Sequence, residues 1–462
     1  MMNLADIRNI YFIGIGGIGM SALARYFKLL NKNIAGYDKS SSGLTEELIR
    51  EGIKINFIDD VNQIPPLYLN KENTLIVYTP AIPTHHHQLN FFKANDFLIY
   101  KRSQLLGLIT KNAQTIAVCG THGKTTTSSL LAHLFNYAGK NITAFLGGIS
   151  QNYNTNLILG DPSKEKHLVV VEADEYDRSF HTLFPSTIIC TSMDADHLDI
   201  YGTEEEMKKS YFEFFSHLNN NGFFIGNDQL KNLILNNNIQ KFTYSLTNSS
   251  TNSFIYNLRI ENGSYVFNLN TPFGIINDIE FPYPGLHNIE NAVGAVTAAL
   301  ANGLKIEEVK QGLKTFKGVK RRFDIHVKTE DHILIDDYAH HPKELSAFIN
   351  SVKNFYPHKV VTGIFQPHLF SRTRDFGKEF GESLSMLDML YLLEIYPARE
   401  EPISGIDSAW LAKFIKGPHV KLVSKSELLK LINITKPELL LTIGAGDIDQ
   451  LIPQIKTALE YV

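Results

Sequence analysis

At 462 residues the chain is too long for one core of ordinary size, and at about 100 to 200 residues per domain it suggests about three domains. Its 44% hydrophobic and 20% charged residues are those of a water-soluble globular protein, and a formal net charge of -4 leaves no basic excess to argue for nucleic acid. Two cysteines, Cys119 and Cys190, sit in apolar strand-like runs; they exclude a disulfide framework and fit a reducing, cytoplasmic interior.

The first element is a strand, "NIYFI", that turns through glycines into a helix. The apolar stretch "IYFIGIGGIGM" is too short to span a bilayer and lacks a basic leader and a small-residue cleavage site, so no membrane insertion is expected. Gly14, Gly16 and Gly19 have GxGxxG spacing, with Gly17 added, and Asp38 ends the next strand. Such glycines let backbone N–H groups approach a diphosphate at a helix N-terminus, while the carboxylate can accept from a ribose or sugar hydroxyl. Taken alone, the loop is also compatible with a nicotinamide dehydrogenase or with a ligand-free turn. Further on, "THHHQ" (His85 to His87) reads as a solvated loop, because consecutive histidines cannot all face one ion.

The second strand-loop-helix is "TIAVCGTHGKTTTSSLLAHL". It has the chemistry of a phosphate cradle, yet Gly120 precedes Gly123 by three residues where GxxxxGK[ST] needs five. Backbone donors from Gly120 through Thr121 and His122 to Gly123, the Lys124 ammonium and the Thr125 hydroxyl can hold a triphosphate and its Mg2+. A lysine at a helix N-terminus opposes the helix dipole, which speaks against a merely structural turn. Two later strand ends carry acids. "HLVVVEADEYD" brings Glu172, Asp174, Glu175 and Asp177, and "TIICTSMDADHLDIYGT" brings Asp194, Asp196, His197 and Asp199. Of these, Glu172 and His197 are the candidate metal ligands, with carboxylate oxygen suited to Mg2+ or Mn2+. Between residues 241 and 283, short β-rich stretches divided by turn signals suggest an antiparallel section. After residue 321, strand and helix alternate through "HILID", "PKELSAFINSVKNF", "KVVTGIF", "RDFGKEFGESL", "MLYLLEIY" and "ELLLTIG", which implies a mostly parallel sheet. In "YAHHP" one histidine can cap the helix that Pro342 opens, and in "SRTRD" Arg374 can pair with Asp375.

"GIGGIGMSALA", "GTHGKTTT", "EADEYD", "DADHLDIYGT", "GLHNIENAVGA", "KRRFD", "DDYAHHP" and "FQPHLFSRTRD" follow one another in an order and spacing that resembles the Mur ligases over nearly the whole chain. The short GTHGKT loop is a strong match within that family. The resemblance implies an α/β protein of three domains: a Rossmann-like UDP-sugar domain (1–107), a central ATPase-like domain with a parallel sheet and an antiparallel section (108–320), and a Rossmann-like closing domain that binds the amino acid (321–462). It implies ATP-dependent amide ligation with the small molecules UDP-N-acetylmuramate, L-alanine and ATP as partners, and Mg2+ or Mn2+ as metal. A monomer and a homodimer both remain open. By resemblance, Gly14, Gly16, Gly17, Gly19, Asp38 and Thr79 belong to the UDP-sugar site. Gly120, Thr121, His122, Gly123, Lys124, Thr125, Thr126, His287, Asn288, Asn291, Arg322 and Asp337 belong to ATP. Thr125, Glu172 and His197 belong to the metal, and Arg372, Tyr338 and His340 to the amino acid. Lys124, His197, Arg372 and His340 would carry the chemistry. Many members of the family have a second arginine where this chain has Leu369. A recycling ligase that adds a whole tripeptide is the nearest rival reading, and a non-catalytic UDP-sugar sensor would not need the intact phosphate loop.

Overall fold

The computed structural model describes residues 6–164, 166–194, 198–235, 238–261, 263–398 and 400–460. It divides into two compact units, one of Met1–Leu258, Phe267–Glu280 and Glu290–Phe316, the other of Arg259–Val266, Phe281–Ile289 and Lys317–Val462.

The first unit holds two large sheets. Strands β1 (Asn9–Ile13), β2 (Asn33–Tyr37), β3 (Lys54–Asn56), β4 (Thr74–Tyr78) and β5 (Leu98–Lys101) form a parallel sheet in the order 3-2-1-4-5. Near-continuous apolar runs such as "NIYFI" and "TLIVY" suit it, since a parallel strand is covered on both faces. Alternation along β1 sends Ile10 and Phe12 to one core and Tyr11 and Ile13 to another on the opposite face. Helices α1 (Ile18–Leu29), α2 (Gly43–Arg50) and α3 (His87–Ala94) connect these strands, and α4 (Arg102–Lys111) leads from β5 to the second sheet. Of the three histidines at the start of α3, His85 and His87 are exposed as expected of a solvated loop, and His86 departs from it. His86 is buried, accepts from Leu89 N at 3.2 Å as the cap of α3, packs on Tyr37 and faces Asp59 at 3.1 Å. Helix capping and an aromatic neighbour, both invisible in the triplet itself, draw the middle ring inward.

The second sheet contains β6 (Gln114–Cys119), β7 (Ile142–Ser150), β8 (Thr155–Ile158), β9 (Leu168–Glu172), β10 (Thr187–Cys190), β11 (Phe223–Asn227) and β12 (Gln240–Tyr244), in the order 12-11-10-6-9-7-8. It is parallel except for the β7–β8 pair. Helix α5 (Lys124–Tyr137) follows β6. Buried residues of the two sheets share one core, which runs from Ile10 and Phe12 to Val171 and Cys190. Arg25 of α1 joins them through polar contacts: it donates to Glu47 and Glu51 and, at 2.7 Å, to Asn156 Oδ1 of β8.

Strands β13 (Phe254–Glu261), β14 (Ser264–Thr271) and β15 (Gly274–Phe281) follow in the order 13-14-15. Their two-residue connections allow only antiparallel neighbours, as the turn signals predict. The second unit carries β16 (Asp324–Lys328), β17 (Ile333–Asp337), β18 (Val361–Phe365), β19 (Met389–Leu392), β20 (His419–Leu422) and β21 (Leu439–Ile443) in the order 16-17-21-18-19-20, parallel apart from β16. The alternation of strand and helix is as expected, with two differences. The stretch "RDFGKEFGESL" does not make one helix, because the chain breaks at Phe376 between Phe370–Asp375 and Gly377–Leu384. Strand β20, "HVKL", is an exposed edge and carries too little apolar pattern to be read from sequence. No helix among the described residues is long and apolar enough to cross a membrane.

Candidate active site

The glycine loop leaves β1 where the strand order turns from 2-1 to 4, the position at which open α/β sheets bind ligands. Gly14 has φ +84°, and a Cβ there would lie 2.7 Å from Thr79 Cγ2 at the end of β4. Thr79 is therefore a wall of the loop. Gly16 N donates to Asp38 Oδ2 and Lys39 N to Asp38 Oδ1, both at 2.7 Å. Asp38 thus fastens the loop to the end of β2, while its remaining lone pairs can still accept from a hydroxyl. A cavity of about 280 Å³ opens beyond the loop, lined by Gly17, Gly19, Thr79 and Arg102 on one side and by Gly147, Glu172 and Asp174 on the other.

The phosphate loop leaves β6, whose neighbours β9 and β10 bring the acidic segments to the same edge. Thr121 N donates to Ser192 O at 3.3 Å, His122 N to Ser192 Oγ at 3.0 Å, and Thr121 Oγ1 to Asp194 O at 2.9 Å. Gly123, with φ +80°, is the N-cap of α5, and a Cβ there would sit 2.4 Å from Asn291 Oδ1. No side chain caps α5, so the amides of its first turn, through Thr126, present a positive helix end to an anion. Lys124 Nζ donates to Gly120 O at 2.7 Å and to Glu175 Oε1 at 2.8 Å. Burial opposes the ammonium charge, but Glu175, Asp174 and Glu172 outweigh it and hold the Lys124 pKa above its ordinary value. Burial also pushes the Glu175 carboxyl up to about 7, against the pull of Lys124. Thr125 Oγ1 donates to Glu172 Oε1 at 3.1 Å. This hydroxyl and carboxylate offer the hard oxygens that Mg2+ prefers. His197, the other proposed metal ligand, lies outside the described residues, and among those described no cluster of three or more His, Cys, Asp or Glu side chains could hold an ion.

Glu175 was not among the residues singled out by sequence reasoning. It is one acid in a run of four, and its partner stands 51 positions earlier, so no local signal marks it. Glu175→Gln should lower the unfolding free energy by about 3 kcal/mol, since it leaves a largely buried ammonium without its facing carboxylate. Urea titration at pH 7 measures this. A change within about 0.5 kcal/mol, typical of surface sites, would show that the neighbouring acids suffice.

In the second unit, β17 ends in Asp337, whose two oxygens accept from Phe323 N and Ala339 N, each at 2.8 Å. Burial pushes its carboxyl up to about 6, and Arg322 pulls it back. The guanidinium of Arg322 lies 5.3 Å from the Tyr338 ring centre, with Arg321 at 4.9 Å from the same ring. His340 Nδ1 is 3.0 Å from Tyr338 O, and its backbone N–H donates to Glu344 Oε2 at 3.1 Å. Burial lowers the His340 pKa, Glu344 opposes this, and Arg372 lowers it further, so Arg372 is within electrostatic reach of the ring. His341 is the histidine that caps the helix Pro342–Phe355, which leaves His340 to the cluster. Burial, followed by Arg322, pushes His287 down to about 4. Asn288 Nδ2 donates to Pro284 O at 2.6 Å, and Arg374 pairs with Asp375 at 2.7 Å as expected. Arg322, Asp337, Tyr338, His340, Arg372 and His287 are thus gathered in the second unit, while Asn291 stands beside Gly123 in the first.

Two glycine-rich helix starts, a buried lysine and a paired hydroxyl and carboxylate define a nucleotide-phosphate-handling α/β protein. The comparisons with known proteins narrow this. Residues 9–114 match the Mur ligase family catalytic domain, 118–299 the Mur ligase middle domain and 321–446 the Mur ligase glutamate ligase domain. The UDP-N-acetylmuramate--L-alanine ligase of Flavobacterium psychrophilum is 47% identical over 99% of this chain and 100% of its own length. That of Porphyromonas gingivalis is 46% identical over 98% and 99%. Among solved structures, the UDP-N-acetylmuramate-alanine ligase of Thermotoga maritima superposes with a TM-score of 0.82 at 24% identity, covering 97% of this chain and 98% of its own. The murein peptide ligase of Psychrobacter arcticus gives 0.69 at 20% identity, covering 98% and 99%. The chain belongs to the Mur ligase family.

Proposed function

We propose that this protein is an ATP-dependent, ADP-forming amide ligase that joins L-alanine to the lactyl carboxylate of UDP-N-acetylmuramate in peptidoglycan precursor synthesis. Full-length identity of 46 to 47% to ligases of that name supports the reading over the tripeptide-adding and dehydrogenase alternatives. The single structural observation that carries it is the Lys124–Glu175 and Thr125–Glu172 pairing at one end of a phosphate loop, with Glu172 also lining the cavity that opens from the glycine loop. A dehydrogenase has no use for these groups.

A carboxylate acylates poorly. In the proposed reaction the lactyl oxygen attacks the γ-phosphorus of ATP, forming an acyl phosphate and releasing ADP; the alanine amine then displaces inorganic phosphate. Two anions must meet in the first step, and the Lys124 charge offsets their repulsion. Glu172, Thr125 and His197 would hold Mg2+, which would supply further positive charge to the phosphates. In the second unit, Arg322 and Asp337 serve ATP, while Arg372, Tyr338 and His340 receive the amino acid. The assignment of 1–107 to the UDP-sugar, 108–320 to ATP and 321–462 to the amino acid belongs to the same proposal.

The test is phosphate release from ATP with UDP-N-acetylmuramate present, comparing L-alanine, glycine, L-serine and the tripeptide. L-alanine is expected to be used best. Preference for the tripeptide would move the chain to the recycling role, and no release with any acceptor would refute the ligase.

A further inference from the structure

Asn156 of β8 is fully buried, and its whole amide is turned to the helix that follows the glycine loop. Nδ2 donates to Ile18 O at 2.5 Å and to Ser21 Oγ at 3.0 Å, while Oδ1 accepts from Arg25 Nη1 at 2.7 Å. Ile18, Ser21 and Arg25 stand three and four residues apart, so they share one face of α1. Arginine has donors only; its contact must be the amide oxygen, which leaves the NH2 for Ile18 and Ser21 and fixes the way Asn156 faces. Arg25 is held in turn by Glu47 and Glu51. Tyr26 packs on Phe145 of β7 at 5.3 Å between ring centres, but apolar contact has no direction. The hydrogen bonds of Asn156 do, and they hold the first turn of α1 in one place.

The other end of this link reaches the phosphate site. β8 pairs with β7 next to Asn156, Leu157 facing Phe145. Two residues further along β7, Gly147 lies against Glu172, where a Cβ would overlap the carboxylate, and Glu172 accepts from Thr125 of α5. Phe145 and Gly147 line the 280 Å³ cavity together with Ile18 and Gly19. We propose that Asn156 is a positioning residue: it fixes the start of α1 against β7 and β8, and so sets the separation between the lactyl carboxylate of the nucleotide sugar and the γ-phosphate of ATP. The proposal rests on the ligase reading above and names a residue that touches neither substrate.

Single-turnover ADP formation by the full-length protein tests it, followed with L-alanine present over a range of ATP and UDP-N-acetylmuramate concentrations. This separates the plateau rate from the half-saturating concentrations. Asn156→Leu, close in size, should lower the plateau by roughly 10- to 100-fold, as expected when reacting groups are displaced by about 1 Å, with both half-saturating concentrations near wild type. A merely structural residue would lower stability without that split. Asn156→Asp keeps an acceptor for Arg25 but has no N–H for Ile18 and Ser21, so it should be slowed as well. Tyr26→Leu weakens the apolar part of the same contact and should lose stability while keeping its plateau rate. An unchanged plateau in Asn156→Leu, a wild-type plateau in Asn156→Asp, or equal slowing in Tyr26→Leu would each overturn the proposal. So would a loss that vanishes at saturation, which would make Asn156 a support of the binding loop alone. If neither Asn156 variant folds, Ser21→Ala, which removes the side-chain acceptor on α1, should show the same split on a smaller scale, and an unchanged plateau would overturn the proposal. Absence of ADP formation by the wild-type protein would refute the ligase reading itself, a result distinct from all of these.

Discussion

Lys124→Ala should slow alanine ligation by on the order of 100- to 1,000-fold, the usual loss when one stabiliser of developing transition-state charge is removed, while the protein stays folded. The fold survives because of the group that the lysine faces. Glu175 is fully buried, and its carboxyl already stands at about 7 with the ammonium 2.8 Å away. The ammonium is what restrains that rise. Without it the pKa climbs, the carboxyl takes up a proton at neutral pH, and the interior keeps a neutral acid in place of an isolated charge. The rate has no such remedy. Lys124 is held between Gly120 O and Glu175 at the mouth of the loop, so its charge is positioned before ATP arrives. Single-turnover measurement of ADP formation, with circular dichroism to verify the fold, gives the answer. Turnover within a few-fold of wild type by a folded variant would remove Lys124 from the chemistry.

Arg372→Ala should raise the Michaelis constant for L-alanine by about 10- to 150-fold, equivalent to the 1.5 to 3 kcal/mol of a charged hydrogen-bonded pair, with little change in the constants for ATP and the UDP-sugar. Alanine must be held by its carboxylate so that its amine points at the acyl phosphate, and a guanidinium fork suits that task. Three arrangements favour Arg372. Its helix, Phe370–Asp375, follows β18 and opens immediately after Leu369, which takes φ +72° and ψ 135°. That backbone region costs a non-glycine residue of order 1–3 kcal/mol and tends to persist at functional sites. Arg374, the other arginine of the helix, is paired with its neighbour Asp375. Arg372 itself acts electrostatically on His340, which packs against Tyr338. Steady-state kinetics with each substrate varied in turn will decide. A uniform rise in all three constants, or none for alanine, would show that another group reads the carboxylate.

Much of this architecture was legible because its signals are local. A buried strand, a glycine turn and a helix start occupy about twenty consecutive residues, and their order dictates where N–H groups and dipole ends point. "GIGGIG" and "GTHGKT" were therefore readable as two strand-turn-helix starts, and the alternation after residue 321 as a parallel sheet. The match of eight short motifs in order carried the family. Thr79, which the resemblance assigns to the UDP-sugar site, abuts Gly14.

Other features were decided by which strands became neighbours. Four acids in "EADEYD" look alike in sequence, yet pairing of β6 with β9 buries Glu175 against Lys124, turns Glu172 to Thr125 and leaves Asp174 half-exposed beside Arg102. The same applies to the glycine loop. Its spacing promises a row of donors, but Tyr37 and Asp38, more than twenty residues away, take those of Gly14, Ile15 and Gly16. His86 offers a third case, since a buried cap and a solvated histidine have the same letters around them. Local sequence determines the conformations a segment can adopt and the charges it carries. Burial and partner choice come from contacts between distant segments, and these set the pKa of an acid, the freedom of an N–H group and the role of an arginine.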